Sequence, residues 1–322
     1  MSTTAPHTAT PDRTGPAEAR ALYRAGLDAH TAGWAPGHVR AHLAAVPLAW
    51  APDLASYCAR NRHALPVLDV GEPGVWSTPL APGADLRTDL PRYRVWEDGE
   101  LLDEPLGIAH RWRDDLVPFL LGRPVALDAE LAAAGVPLRH LEQGQTVPLY
   151  VTNRSCRPAG RLCGPLVVAM RPVPAHLVPV ARAAGATTPL ARNGPVHVGD
   201  PGALGIRALS RPDFGGRVRP EAGDIPVFWT SGVTLQAALR ATRPPFALTE
   251  APGHLFITDL GTGRERETGD TGPRGAADRG PKGAAGTGPE AAAGRRPEAA
   301  AGRRPEAAAR AAPERATGAG PR

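Results

Sequence analysis

The sequence predicts an α/β protein: a two-lobed mixed α/β sheet fold with a helical N-terminal region and a disordered C-terminal tail. Three observations lead there. Strand and helix patterns alternate from about residue 164 to residue 259, and helically spaced apolar residues mark the first sixty positions. From Gly261 to Arg322 there is no Val, Leu, Ile, Met, Phe, Tyr or Trp.

A tail of that composition cannot bury enough apolar surface to offset the entropy of ordering it. It repeats PEAAAGRR from Pro289 and Pro297, with Pro and Gly interrupting each helical turn. It also decides the charge question. The tail carries 12 Lys/Arg and 8 Asp/Glu, a net +4 against +5 for all 322 residues, so the first 260 residues stand near +1. The sequence pI of about 9.6 therefore belongs to the tail and gives no reason to expect specific nucleic-acid binding. The polar N-terminus, residues 1–15, is expected to be loose, leaving residues 16–260 as the folded domain with two lobes. Three cysteines without a C-x-x-C pair, no apolar signal core and no run of 18 apolar residues point to a reduced, cytoplasmic protein away from membranes.

Within the domain, PAEARALYRAGLDAH (16–30) has Pro16 in a first helical turn and Leu22, Tyr23 and Leu27 near helical spacing. GHVRAHLAAV (37–46) and PDLASYCARN (52–61) read as two further short helices. LPVLDV (65–70) reads as a strand, and RYRVWEDGELLDE (92–104) as a hairpin turning at Asp98-Gly99. HRWRDDLVPFLLG (110–122) and ALDAELAAAG (126–135) return to helical patterns. GPLVVAMRP (164–172) is an apolar strand followed by the helical AHLVPVARAAG (175–185). PVHVG (195–199) is a short strand, after which Asp200-Pro201 caps PGALGIRAL. IPVFWT (225–230), LQAALRAT (235–242), FALT (246–249) and HLFITD (254–259) complete the alternation, with EAPG as the turn between the last two.

In open α/β sheets ligands bind beyond the carboxyl ends of strands, where helix N-termini offer free N–H groups. Two strand-to-helix turns fit. HVGDPG (197–202) presents His197 and Asp200, and WTSGVT (229–234) presents Ser231, Gly232 and Thr234. If IPVFWT, its helix and FALT form a right-handed parallel crossover, EAPG lies at the ligand edge and HLFITD runs back antiparallel. His254 then begins a strand at the site. Asp259 ends about 17 Å away on the opposite face, so the two are no dyad. The loop around TNRSCRPAG (152–160) supplies Asn153 and Arg157, with Cys156 as a possible thiol, and the turn-rich LAPGADLRTDLPRYRV (80–95) supplies Arg87. No motif for a dinucleotide, a nucleotide phosphate or zinc occurs, so neither a cofactor nor a metal is expected.

Seven segments, APGHVRAHL, LAPGADLRTDLPRYRV, WRDDLVPFLLG, TNRSCRPAG, PVHVGDP, IPVFWTSGVT and APGHLFITDL, resemble the D-glutamate cyclase family in content and order, across about residues 18–260. Where the family pattern reads Trp-x-Cys-Gly-Val-Thr, this chain has Ser231, and Leu255 stands where Met is usual. The resemblance implies a two-lobed α/β hydro-lyase acting on a small amino or hydroxy acid, with cyclisation of D-glutamate to 5-oxo-D-proline as the leading reaction. That chemistry needs a base for the α-amine, an acid for the departing oxygen and clamps for the carboxylates. His254 or Asp200 can serve as base or acid. Arg157 or Arg87 can hold one carboxylate, and the helix start after Gly232 the other. A hydroxy-acid dehydratase or a non-catalytic carrier of small acids would use the same residues. The expected partner is a small carboxylic acid, and a homo-oligomer is left open.

Overall fold

The computed structural model describes residues 10–122, 126–184 and 194–262. The expected tail, apart from Gly261 and Thr262, and residues 1–9 of the N-terminus lie outside them.

The first lobe is a seven-stranded sheet built around β1 (His38–Pro47). On one side β1 pairs with β5 (Leu116–Gly122), which pairs in turn with β2 (Val67–Val70). On its other side β1 meets β10 (Ala247–Glu250) and, further along, β11 (Phe256–Gly261). Beyond β10 come β3 (Tyr93–Glu97) and the edge strand β4 (Glu100–Asp103). The second lobe is a four-stranded sheet in the order β6 (Leu149–Ser155), β7 (Pro165–Pro174), β9 (Asp224–Thr230), β8 (His197–Val198). Every pairing in both sheets is antiparallel.

Three expectations change as a result. Residues 37–46 and 116–122, read as helices, are the central strands β1 and β5. Both faces of β1 are covered: Ala41, Leu43 and Ala45 pack into one core and Ala44 and Val46 into the other. Buried on both faces, the stretch Leu43–Val46 has no polar alternation, and its Ala and Leu content mimics a helix. The parallel crossover is absent, because β9 and β10 belong to different sheets. Nor is EAPG a hairpin turn. β10 and β11 both run antiparallel to β1, as Ala44↔Thr249 and Ala41↔Phe256 show, so residues 251–255 interrupt a single course along the β1 edge.

The six α-helices among the described residues close the layers. α2 (Ala51–Arg60) and α6 (Thr234–Thr242) cover one face of the large sheet, where Leu54, Tyr57, Leu235 and Leu239 are buried against Val117 and Phe119. Each side chain so buried contributes about 1.5–3 kcal/mol. α3 (Ala126–Ala133) and α5 (Val178–Ala184) cover one face of the small sheet through Leu127, Leu131 and Ala181. The short α4 (Arg139–Glu142) precedes β6. α1 (Pro16–Arg24) docks on β11, with Arg20 donating to Asp259 at 2.8 Å and to the Ile257 carbonyl. Residues 10–15, expected to be loose, include a 3-10 turn at Pro11–Arg13, and Thr14 is buried. At the other end Gly261 belongs to β11 and Thr262 donates to the Gly37 carbonyl, so the fold continues past Leu260. Among the described residues, no helix is long and apolar enough to cross a membrane.

Candidate active site

α6 leaves β9 of the small sheet and packs on the large one, so the turn before it joins the lobes. Beside that turn lies a cleft of about 690 Å³, walled by β1 and the 251–255 segment on one side and by β7, β9 and α3 on the other. His38, Arg40 and His42, alternate residues of β1, line it together.

His42 is one of its buried polar groups. Nδ1 stands 2.6 Å from Oε1 of Glu250, and the side chains are only 7% and 2% exposed. Glu250 ends β10, where the neighbouring strand course breaks opposite His42. Its Oε2 accepts from the Leu43 amide at 2.9 Å, and Gln236 Nε2 donates to its carbonyl and to Oε1. Gln236 Oε1 accepts in turn from Arg94, which is held by Glu104 at 2.6 Å. A chain of hydrogen bonds thus runs from the surface to the imidazole. With Nδ1 committed to a carboxylate, Nε2 is the nitrogen left for proton transfer. It lies over Gly232: a Cβ there would stand 2.3 Å from Nε2 and 2.2 Å from Cδ2. Gly232 is therefore fixed by the space the imidazole takes.

The opposite wall holds Arg171, which donates to Asp128 Oδ1 at 2.6 Å, with Nε2 of His140 3.6 Å from Oδ2 of the same carboxylate. The Arg171 guanidinium sits 5.5 Å from the centre of the Trp229 ring. Arg40 donates to the Trp34 carbonyl. Burial lowers its guanidinium from the ordinary value, an effect that the charges of Tyr23 and Asp128 oppose. Among the described residues, no group of three or more His, Cys, Asp or Glu is placed to hold a metal ion.

The residues singled out in the sequence scatter around this cleft. Ser231 and Gly232 line it. Thr234 is fully buried behind them, bonding the Val167 backbone from the start of α6. His254 is buried one step back from the cleft-lining Pro252, Gly253 and Leu255. Its Nδ1 donates to the Pro252 carbonyl at 3.1 Å, and its ring centre is 4.6 Å from that of His30. The rest are elsewhere. Asp200 caps the 3-10 turn Pro201–Leu204 by accepting from the Gly202 amide, and His197 Nε2 meets the Asp200 carbonyl at 2.7 Å. Asn153 lies exposed on β6 beside Gly205. Arg87 is paired with Asp85 and lies 3.8 Å over the Trp76 ring. Arg157 is exposed, with its backbone tied to Asn61. Cys156 is packed in the core with Tyr57, where burial pushes its thiol up from the ordinary value. The antiparallel topology accounts for this dispersal, since the two turns expected at one sheet edge never share one.

A sequence model of the D-glutamate cyclase family matches residues 117–259. A Streptomyces coelicolor protein named "Putative hydro-lyase" is 56% identical over 265 residues, covering 79% of this chain and 96% of its own. Relatives with the same name from Rhodococcus jostii and Cupriavidus necator are 55% and 54% identical, over 76% and 75% of this chain and 94% and 90% of theirs. His42 and Arg40 precede the stretch matched by the family model, whereas Arg171, Gly232, Gln236 and Glu250 fall inside it. By its identity to these relatives over nearly their full lengths, the chain belongs to the D-glutamate cyclase family of hydro-lyases.

Proposed function

We propose that this protein cyclises D-glutamate to 5-oxo-D-proline with loss of water, and that His42 moves the protons. The observation that carries this is the His42–Glu250 pair, buried at the wall of a cleft between two lobes with Nε2 over Gly232. In the reaction the α-nitrogen bonds to the carbon of the γ-carboxyl group while one oxygen of that carboxyl leaves. Two of the three ammonium protons depart with that oxygen as water, so one group that accepts and then returns a proton suits both halves. Nε2 takes a proton from the ammonium, and the amine attacks the carbon of the γ-carboxyl group. The imidazolium, stabilised by Glu250, delivers that proton to the leaving oxygen, and Nε2 then relays the second proton from the ring nitrogen, so that the oxygen departs as water. The N-terminus of α6 meets the cleft at Ser231–Gly232, where its partial positive charge favours the charge that develops on oxygen.

The test incubates the purified full chain with D- and L-glutamate and follows loss of primary amine and formation of 5-oxoproline on a chiral column. Turnover of the D-isomer that collapses in His42→Gln supports the reading. Saturable binding of D-glutamate without product makes the chain a carrier and refutes it.

A further inference from the structure

Several buried donors around the cleft, on both walls, have no hydrogen-bond partner among the described residues. Arg171 is 4% exposed and Trp229 2% exposed. Nη1 of Arg171, Nε1 of Trp229 and Nε of Arg40 are all buried without a hydrogen bond, and all three residues line the cleft. A buried donor left unmatched is costly, so three around one cavity call for an acceptor from outside the chain. Their placement is coherent. Arg171 and Trp229 share a face of the small sheet, since β7 and β9 pair Ala169 with Trp229 and Arg171 lies two residues from Ala169. Arg40 lies two residues from His42 on β1, about 7 Å away at strand rise. The charge of Asp128 acts on Arg40 and its carboxylate binds Arg171, which ties the two guanidiniums to one place.

We propose that Arg40, Arg171 and Trp229 form a clamp for one carboxylate of a dicarboxylate ligand whose other end reaches His42. The class of ligand follows from the donors. Two guanidiniums and an indole N–H converge on one acceptor group, and the carboxylates of Asp128 and Glu130, which line the same cleft, disfavour a group as highly charged as a phosphate dianion. A carboxylate has two oxygens and four lone-pair sites for the three donors. The clamp rests on the proposed function only in taking the His42 cleft as the substrate site, and it assigns the end of the substrate that does not react.

Glutarate, a dicarboxylate without an amine, separates binding from cyclisation. Calorimetric titration of glutarate into the full chain is expected to show binding that weakens about tenfold or more in Arg171→Gln, Arg40→Gln and Trp229→Phe. Arg171→Gln leaves Asp128 without its guanidinium and can fail to fold; Trp229→Phe removes the N–H, keeps an aromatic ring in its place, and decides the matter alone. Equal affinity in wild type and Trp229→Phe, no glutarate binding by wild type, or inorganic phosphate binding more tightly than glutarate would each overturn the clamp. If glutarate binds through these residues while D-glutamate loses no amine, the clamp stands and the cyclase reading falls.

Discussion

Nδ1 of His42 lies 2.6 Å from Oε1 of Glu250, although 208 residues separate them in the chain. β1 and β10 bring them together, and the break after Glu250 leaves the imidazole facing a cleft instead of a continuing strand. The carboxylate accepts at Nδ1–H and so selects the tautomer with a free lone pair on Nε2.

That dependence gives the first prediction. His42→Gln should lower turnover of D-glutamate about 100-fold or more, because no neighbour replaces its proton transfer. Glu250→Gln should cost a similar amount for a different reason: an amide can donate to Nδ1 and leave the proton on Nε2. Steady-state rates check this, with circular-dichroism melts confirming that both variants fold. A Glu250→Gln enzyme of wild-type rate would remove the dyad from the mechanism.

Gly232 supplies the second. A methyl group there would stand 2.2 Å from Cδ2 of His42, so Gly232→Ala should push the ring off Glu250 and destabilise the fold by about 1–3 kcal/mol. His42→Ala opens the space again. The double variant His42→Ala/Gly232→Ala should therefore be more stable than the sum of the single changes implies, while remaining inactive. Additive stabilities in urea denaturation would show that the contact does not matter.

How legible this was in the sequence depended on whether each signal was local. The β3–β4 hairpin was readable because Asp98 and Gly99 both take positive φ, 48° and 77°, which Asp-Gly favours. α2 and α6 were readable from their amphipathic spacing, and Asp200 as a cap from its Pro. β1 was hidden because both its faces are buried, and with it went His42, which on a helix has no relation to Glu250. The trace left in the sequence was His38-x-Arg40-x-His42, three polar residues alternating just before an apolar run. Arg171 inside GPLVVAMRP was the matching trace, since a guanidinium in an apolar strand needs a reason to be there. His254 was drawn to the site by a crossover that the antiparallel sheets do not contain.

The thiols give the third prediction. Cys58 and Cys156 are buried in one core, where burial pushes the Cys58 thiol up to about 12 and raises that of Cys156, while Cys163 is exposed. Thiolate is the reactive form, so iodoacetamide on native protein should label Cys163 first. Cys156→Ala should keep turnover within about twofold and lose about 1 kcal/mol of stability from the lost packing. Peptide mapping of the alkylated protein checks the order. Labelling of Cys156 ahead of Cys163, with loss of activity, would restore it as a candidate nucleophile.

His254 gives the last. Burial and the neighbouring charge of His30 lower its imidazole below the ordinary value, while the Pro252 carbonyl and Asp28 pull the other way and Arg92 adds to the lowering. A group whose folded value lies below its unfolded value of about 6.5 binds fewer protons in the native state. Unfolding free energy must then fall as pH drops through about 6.5, and the loss levels off below the folded value. His254→Gln removes this contribution. Between about pH 7 and 5 the variant should lose less stability than wild type, even if its stability at pH 7 is lower because the ring no longer packs on His30 at 4.6 Å. Its turnover should stay within a fewfold of wild type, in contrast to His42→Gln, because Nδ1 of His254 is bound to Pro252 and its Nε2 stands 3.7 Å from Asp28. Urea denaturation at several pH values reads the slope. Parallel slopes in wild type and variant would show that His254 takes up its proton as readily folded as unfolded. A 100-fold loss of turnover in this variant would return the proton transfer to His254.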